Sequence, residues 1–446
     1  MSHRSALAGP RVVIDCGDYE FGNLGDVGML QVAVRRLRDQ LPAASLEVIT
    51  RDPAALGFHC PGTVPLSYEG RQLWVERGVL LGRADRVLRR TPLFSDGGLE
   101  GALRRHSAPL LERLVRARVR RQAAEREAFG AFLTALSKAD AVVVCGAGGI
   151  TDHARRWATQ VLALLEDAMA RGAATAMFGH GLGPLTDPGL RRVASRVLPR
   201  LDLLALREAR AGEPLARSLG VPPERLCITG DDAIELAYAV RPRALGRGIG
   251  VNLRVSRSAG VDESYIGPVG AVLQRFAVVR DAPLFPVPIG RGRASSDTVT
   301  LTRLLDAAAD QHDGGAGLVT PAAVIAQIAL CRIVITGAYH AAVFALAQGI
   351  PVVCLARSAY FSDKFLGLAS QFGEGCTMID LGAVDLPGQL EAAAERAWDT
   401  AESSRAALLE VARCQIDASR SAYGRFARLL LDRRAVRGAA PEEAAR

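Results

Sequence analysis

The segment VITGAYHAAVFALAQGIPVVC, residues 334–354, decides the fold class of this chain. Its two apolar ends have the length and composition of buried strands, and the part between them has the composition of a helix. Thr336 and Gly337 mark the turn into this helix, and Gly349 and Pro351 mark its end. A strand, a helix and a second strand in this order are typical of a parallel α/β sheet.

His340 lies in the first turn of the predicted helix, just outside the carboxyl end of the preceding strand. Open α/β sheets bind ligands at that edge, and helix N-termini attract anions because their N–H groups and the helix dipole point outward. We therefore expect His340 to be catalytic and Thr336 and Gly337 to bind an anionic small molecule. The alternative, in which His340 only caps a structural helix, is equally compatible with this segment alone.

Apolar runs and amphipathic stretches alternate over most of the chain. At 446 residues the chain exceeds the size at which one core keeps growing. We predict an α/β fold with two Rossmann-like domains that face each other across a cleft, at residues 1–240 and 241–433. A long helical stretch at 389–433 could return to the first domain, and a disordered tail is predicted at 434–446. The predicted strands are 11–16, 46–50, 141–145, 174–178, 201–205 and 226–229 in the first domain and 248–254, 284–287, 317–320, 333–336, 352–355 and 376–379 in the second.

An arginine-rich segment at about 69–138 interrupts this alternation in the first domain. Leu110 with Leu114, and Leu111 with Val115, recur at helical spacing, which predicts a helical insertion. The basic side chains of such helices usually face solvent. The functional alternative is that the insertion forms a helical subdomain that guides an anionic acceptor.

The composition favours an α/β protein, with 49% hydrophobic and 23% charged residues. The formal net charge of +8 comes from arginine, since lysine occurs only at Lys138 and Lys364. Aromatic residues do not interleave with the basic ones, so we expect no nucleic-acid partner. The cysteines show no metal-ligand spacing, and neither a signal peptide nor a membrane span is visible. We therefore predict a cytoplasmic protein without a metal site.

Glycine or polar residues follow several other predicted strands. Gly146, Gly148 and Gly149 end one strand, and such a turn can present N–H groups to an anion. His180 stands between glycines at the end of the next strand, where little packing explains it, so we expect a role in the site in preference to a structural one. Arg207 ends a further strand, where it can hold a phosphate or carboxylate through two hydrogen bonds or form a salt bridge instead.

Two further strand ends carry candidate residues. Asn23 and Asp26 follow the first strand and are expected to shape a loop or contact an acceptor, although Asp26 has a structural alternative as a helix cap. This loop lacks the GxGxxG pattern, so no dinucleotide cofactor is expected. Asp231 and Arg254 occupy analogous positions after other strands.

A family resemblance is carried by five motifs, which are NLGD at 23–26, GAGG at 146–149, GHGLGP at 179–184, RE at 207–208 and TGAYHAAVFALAQGIP at 336–351. Over about residues 11–370 the chain resembles the polysaccharide pyruvyl transferase family, whose architecture is similar to that of GT-B glycosyltransferases. Characterised members move pyruvate from phosphoenolpyruvate onto sugar hydroxyls as a ketal. The resemblance implies a transferase of polysaccharide biosynthesis that uses phosphoenolpyruvate as co-substrate, requires no further cofactor and acts on a glycan or a specialised metabolite. It also implies that Arg207 and His340 face the donor, with His180 nearby and both histidines transferring protons.

One position departs from the family pattern. The family commonly has arginine two residues before the helix histidine, and this chain has Ala338. Loss of one charged hydrogen bond commonly costs ~1.5–3 kcal/mol. Arg254, Arg357 or Lys364 could supply the missing cation, which makes Arg254 and Lys364 further candidate anion-binding residues. A donor other than phosphoenolpyruvate is the alternative.

Two other functions stay open. A GT-B glycosyltransferase that uses a nucleotide sugar would need a ribose-binding carboxylate, for which Asp363 and Glu374 are candidates. A non-catalytic binding protein would keep the fold without donor chemistry, although the retained histidines and Arg207 argue against it. The acceptor, the pathway and assembly into a homo-oligomer are left undecided by the sequence.

Overall fold

The computed structural model describes residues 9–76, 79–80, 82, 98–292, 295–305 and 313–443. Two parallel sheets, one in each half of the chain, form the centres of two Rossmann-like domains, as predicted. The strands of the first sheet are β1 (Arg11–Asp15), β2 (Ser45–Thr50), β3 (Val64–Ser67), β4 (Ala141–Cys145), β5 (Ala174–His180), β6 (Leu203–Leu206) and β7 (Leu226–Ile228). They lie in the order β3-β2-β1-β4-β5-β6-β7. The strand order reverses between β1 and β4, the point at which such sheets bind ligands.

The second sheet begins at Gly248, after a short connection that follows the first domain. Its strands are β8 (Gly248–Asn252), β9 (Leu284–Pro286), β12 (Cys331–Thr336), β13 (Val352–Ala356) and β14 (Cys376–Asp380), in the order β14-β13-β12-β8-β9. A two-residue antiparallel pair, β10 (Arg291–Gly292) and β11 (Ser295–Ser296), lies outside this sheet. The strand predicted at 317–320 is wrong, because these residues form a turn and a loop before the next helix.

Helices cover both faces of both sheets. The helices of the first domain are α1 (Leu24–Gln40), α2 (Pro53–His59), α3 (Tyr68–Val75), α4 (Gly98–His106), α5 (Ala108–Arg118), α6 (Ala123–Ser137), α7 (Arg155–Ala170), α8 (Pro188–Val197), α9 (Gly212–Ser218) and α10 (Ile234–Ala239). The remaining helices are α11 (Ile266–Arg280), α12 (Asp297–Leu305), α13 (Pro321–Ile328), α14 (Tyr339–Ala347), α15 (Ala359–Phe372), α16 (Leu386–Asp399) and α17 (Ala401–Glu443).

The strands are apolar on both faces because helices cover both faces. In β1, Val13 packs into one hydrophobic cluster, whereas Val12 and Ile14 pack into the cluster on the opposite face. The predicted arginine-rich insertion is helical where the structure describes it, and comprises α3, α4, α5 and α6. Other parts of the predicted insertion, at 77–78, 81 and 83–97, lie outside the described residues.

The predicted terminal helical stretch is two helices, and the second one returns to the first domain. The Tyr423 ring of α17 stacks on Phe178 of β5 at 3.8 Å, and its hydroxyl donates to Asp232 at 2.7 Å. The prediction of a return is therefore confirmed. The predicted disordered tail is instead helical from residue 434 as far as Glu443, because α17 continues without a break. Residues 444–446 lie outside the described residues.

The two domains are joined at the start of α1. The backbone N–H of Leu24 donates to Ile289 of the second domain at 2.9 Å, and that of Arg291 donates to Gly22 at 2.6 Å. Helix α14 of the second domain is buried along its whole length, and Phe344 shares a hydrophobic cluster with Ile234 of α10. A helix that is apolar all round requires burial on every side. The interface between the domains supplies that burial.

Candidate active site

A cavity of about 460 Å³ lies between the domains, at the carboxyl ends of their strands. Eight of the predicted site residues line it, and they come from both domains: Asn23, Asp26, Gly148, Gly149, Arg207, Arg254, His340 and Lys364. The sequence could place each of these residues only at its own strand or helix end. The packing of the two domains brings them to a single site.

The N-terminus of α1 forms one wall of the cavity. Asn23 caps the helix, since its side-chain oxygen accepts the N–H groups of Gly25 at 3.0 Å and Asp26 at 3.4 Å. A Cβ atom on Gly25 would lie 1.9 Å from Cγ of His340. Glycine is therefore required here, because only its bare backbone lets the first domain approach the His340 ring.

Glycine loops also surround Arg207, which is 3% exposed. A Cβ atom on Gly148 would lie 2.7 Å from a guanidinium nitrogen of Arg207, and one on Gly181 would lie 2.9 Å from its Nε. The guanidinium lies 4.1 Å from the ring centre of Tyr339. Burial disfavours the charged form, but Tyr339 and Asp231 outweigh it and raise the pKa of Arg207. Arg207 is thus a fixed cation whose position depends on the glycines around it.

Asp231 links Arg207 to His340. Its Oδ2 lies 3.5 Å from Nε2 of His340 and 3.7 Å from a guanidinium nitrogen of Arg207. Burial acts to raise the pKa of Asp231, but His340 and Arg207 outweigh it and hold the pKa below its ordinary value. Asp231 is therefore an ionised carboxylate that holds the two predicted donor-binding side chains together. The sequence placed it at a strand end but gave no reason to prefer it over other polar residues there.

Lys364 contributes a second basic group. Its Nζ lies 3.9 Å from the ring centre of Tyr360, whose hydroxyl donates to the Gly148 carbonyl at 2.9 Å. Burial, with a smaller effect from Arg207, holds the pKa of Lys364 well below its ordinary value. A lysine with a lowered pKa can exchange protons as well as attract anions.

The three residues that precede the His340 helix turn, Thr336, Gly337 and Ala338, differ in what they contact. Ala338 lines the cavity. Thr336 is fully buried, and its hydroxyl accepts the Ala338 N–H at 2.9 Å. Gly337 packs against the Arg254 backbone, where a Cβ atom would lie 2.8 Å from its nitrogen. Neither Thr336 nor Gly337 is in the lining formed by the described residues. Both shape the turn, and their anion contact stays a prediction.

His180 lies beneath the cavity floor and not in it. It has no exposed surface, its Nδ1 lies 2.7 Å from the Gly146 carbonyl, and its ring stacks on Trp157 at 6.0 Å. Burial lowers the pKa of His180 to about 3, so the ring is neutral near pH 7. No surface of this ring is exposed to the cavity, so the predicted proton transfer by His180 gains no support from this geometry and stays a prediction. Gly146, which accepts this contact and has φ of 69°, likewise shapes the loop.

Asp26 is the acidic group of the cavity. Burial raises the pKa of Asp26 above its ordinary value, although His340, Lys364 and Arg207 act in the opposite direction. A carboxyl group with a raised pKa exchanges protons nearer to neutral pH. Asn23 and Asp26 were expected at a loop or an acceptor contact, and both lie in the same cavity as the cations.

Several lining residues had no role in the sequence analysis. His153, Trp157 and Tyr360 line the cavity, and the His153 ring stacks on Tyr360 at 4.7 Å. No pattern in the sequence separates these three from other residues of amphipathic helices. Trp157 fits because Gly149 leaves room, since a Cβ atom there would lie 2.2 Å from the indole ring.

A smaller cavity, of about 90 Å³, shares Arg207 and Lys364 with the larger one. Asp363, a candidate ribose-binding carboxylate, lines it and pairs with Arg210 at 3.4 Å. Glu374, the other candidate, is exposed and lies outside both linings. Among the described residues, no three His, Cys, Asp or Glu side chains are placed to hold a metal ion.

The residues that line the large cavity fall largely within the part of the sequence that matches a known family. The model of the polysaccharide pyruvyl transferase family matches residues 23–359, which include every lining residue named above except Tyr360 and Lys364 of the large cavity. The chain belongs to the polysaccharide pyruvyl transferase family. It is therefore a transferase. None of the curated proteins matches it in sequence.

Solved structures place this family member among GT-B-like folds. A putative UDP-N-acetylglucosamine 2-epimerase from Listeria monocytogenes has a TM-score of 0.52 at 12% identity, over 90% of this chain and 91% of the epimerase. UDP-GlcNAc 2-epimerase from Neisseria meningitidis has a TM-score of 0.50 at 10% identity, over 95% and 98% of the two chains. At such identities the likeness shows the fold alone. Within the described part of this pyruvyl transferase family member, no helix is long and apolar enough to cross a membrane.

Proposed function

We propose that this protein transfers a pyruvyl group from phosphoenolpyruvate to hydroxyl groups of a glycan or a specialised metabolite. The observation that carries the proposal is the meeting of Arg207, Arg254, Lys364 and His340 in one cavity, in a member of this family. Phosphoenolpyruvate carries a phosphate and a carboxylate. Guanidinium and ammonium groups complement both anions.

The transfer requires two proton movements and the loss of phosphate. The methylene carbon of the donor takes up one proton, and the neighbouring carbon forms bonds with two acceptor oxygens. The bond between that carbon and the phosphate oxygen breaks, and phosphate leaves with the electron pair. The two acceptor hydroxyls release two protons. One is equal in number to the proton that converts the methylene to a methyl group, and the other ends on the released phosphate. The site therefore needs a proton donor, a proton acceptor and cations that stabilise the departing charge.

Side chains in the cavity supply these roles. We assign the donor anions to Arg207 and Arg254, and the proton for the methylene carbon to His340. Asp26 takes the acceptor proton in place of the buried His180, because Asp26 lies in the cavity and burial raises its pKa. Lys364 stabilises the departing phosphate or returns the proton to it.

Arg254 is the best replacement for the family arginine that is absent at Ala338. It lies beside Gly337, lines the same cavity as Ala338 and is fixed by Asp297 at 2.6 Å. Lys364 also lines the cavity. Arg357 is exposed and lies outside the lining, which leaves it without a role in this proposal.

Calorimetry with phosphoenolpyruvate, inorganic phosphate and UDP tests the donor. We expect phosphoenolpyruvate to bind, and Arg207→Ala to weaken it roughly tenfold or more, since loss of a charged hydrogen bond costs ~1.5–3 kcal/mol. Arg210→Ala is the matched control, because Arg210 pairs with Asp363 at the surface. Binding of UDP without phosphoenolpyruvate would favour a nucleotide-sugar enzyme. Absence of binding of all three ligands would contradict the proposed donor.

A further inference from the structure

The outer face of helix α5 carries exposed leucine and arginine side chains. Its inner face buries Leu111 and Val115 in the core of the first domain. The outer face is formed by residues spaced three or four apart, all of them exposed: Leu110, Arg113, Leu114, Ala117, Arg118 and, in the single turn that follows, Arg121. Leu110 and Leu114 have 45% and 40% of their surface exposed. We call these six residues the α5 outer face.

The charge of the α5 outer face is not balanced by carboxylates. Arg113, Arg118 and Arg121 have no acidic partner among the residues that the structure describes. By contrast, Arg116 on the flank of the helix pairs with Glu112 at 2.9 Å. Arg113, Arg118 and Arg121 lie on the same helix face as the two exposed leucines.

We propose that the α5 outer face binds the surface of an anionic lipid bilayer. Guanidinium groups bind lipid phosphates, and leucines of an interfacial helix enter the boundary between head groups and acyl chains. A nucleic acid would use the arginines but gain nothing from the leucines, and this face has no aromatic side chain on which a base could stack. The association is peripheral, because no described helix can cross a membrane.

The position of the insertion fits this surface. Helix α3 begins at Tyr68, directly after the carboxyl end of β3, so the insertion leaves the sheet at the edge that holds the large cavity. Arg71 of α3 is fully buried and pairs with Asp15 at the end of β1 at 2.7 Å. This ion pair fixes α3 to the sheet. Helix α5 therefore belongs to an insertion that is anchored to the first domain, and a bilayer bound to it would meet the protein at this insertion.

Vesicle flotation of the full-length protein tests the surface without any assay of transfer. The lipids are phosphatidylcholine alone and phosphatidylcholine mixed with phosphatidylglycerol. We expect binding to the anionic vesicles only, weakened by added salt. The triple variant Arg113→Glu, Arg118→Glu and Arg121→Glu should lose roughly 100-fold or more in partitioning, since removal of each basic residue near such a surface costs a factor of about five and the added glutamates are repelled.

The matched control reverses three arginines elsewhere. Arg217→Glu, Arg275→Glu and Arg303→Glu change the net charge equally at exposed positions on other helices, and this variant should still float with the vesicles. A second variant, Leu110→Ser with Leu114→Ser, should weaken binding without changing its charge. Failure of the wild type to bind anionic vesicles would overturn the proposal. Equal loss in both charge variants, or unchanged binding in the α5 variant, would overturn it as well.

Discussion

Nε2 of His340 lies 3.5 Å from Oδ2 of Asp231, and the two residues belong to different domains. Asp231 follows β7 of the first domain, and His340 lies in the first turn of α14 of the second. Both side chains are buried, and neither of these two atoms has a hydrogen-bond partner among the described residues. A carboxylate that faces one ring nitrogen fixes which nitrogen carries the proton. The orientation of the His340 ring is therefore coupled to the packing of the two domains.

Replacing Asp231 by asparagine tests this coupling. Asp231→Asn removes the negative charge that faces both His340 and Arg207, so we expect turnover to fall roughly tenfold, which corresponds to about 1.4 kcal/mol in activation free energy. Asp399→Asn, at a surface ion pair with Arg280, is the control. Wild-type turnover in Asp231→Asn would contradict a functional role for this carboxylate.

The close approach of α1 to His340 makes a second prediction. Gly25→Ala adds a Cβ atom that would lie 1.9 Å from Cγ of His340, so the ring or the domain must move. We expect turnover to be lost while the far-ultraviolet circular dichroism stays unchanged. Gly57→Ala in α2 is the control, because nothing lies within 4 Å of its Cβ position. Wild-type turnover in Gly25→Ala would contradict the close contact.

The burial of His180 predicts a pH dependence of stability. Burial lowers the pKa of His180 to about 3 in the folded protein, whereas an unfolded histidine has a pKa of about 6.5. As pH falls below about 6.5, the unfolded chain therefore binds a proton at this residue and the folded protein does not. This group therefore reduces stability by about 1.4 kcal/mol per pH unit on acidification from about 6.5 towards 3. His180→Gln lacks this effect. Denaturant unfolding of both proteins at several pH values should show wild-type stability falling relative to the variant, and parallel curves would contradict it.

Restoring the family arginine tests the donor-binding role of the cavity. Ala338→Arg places a guanidinium on the cavity lining beside Arg254. We expect phosphoenolpyruvate to bind roughly tenfold more tightly by calorimetry, from one added charged contact of about 1.5 kcal/mol. Ala124→Arg, at an exposed position of α6, is the control for net charge. Weaker binding in Ala338→Arg would indicate that the site takes a differently shaped donor.

Local patterns predicted most of the elements because they depend on neighbours in the chain. The βαβ unit at 334–354 was predicted correctly, since its apolar strands and its turn residues lie within one short segment. The segment at 317–320 was predicted as a strand because it is apolar, but it forms a turn and a loop and pairs with no strand of either sheet. The tail after residue 433 was predicted as disordered from its composition, yet α17 continues into it as far as Glu443.

The sequence by itself determined the two-domain α/β architecture and placed Arg207, His340 and Asp26 at strand or helix ends. Tertiary structure alone decided that these ends share one cavity, that Asp231 joins Arg207 to His340, and that His180 is buried beneath the floor. The physical reason is the sequence separation over which each kind of information acts. Hydrophobic periodicity records whether an element has a buried face, whereas contact between residues far apart in the chain depends on how two separately formed domains pack.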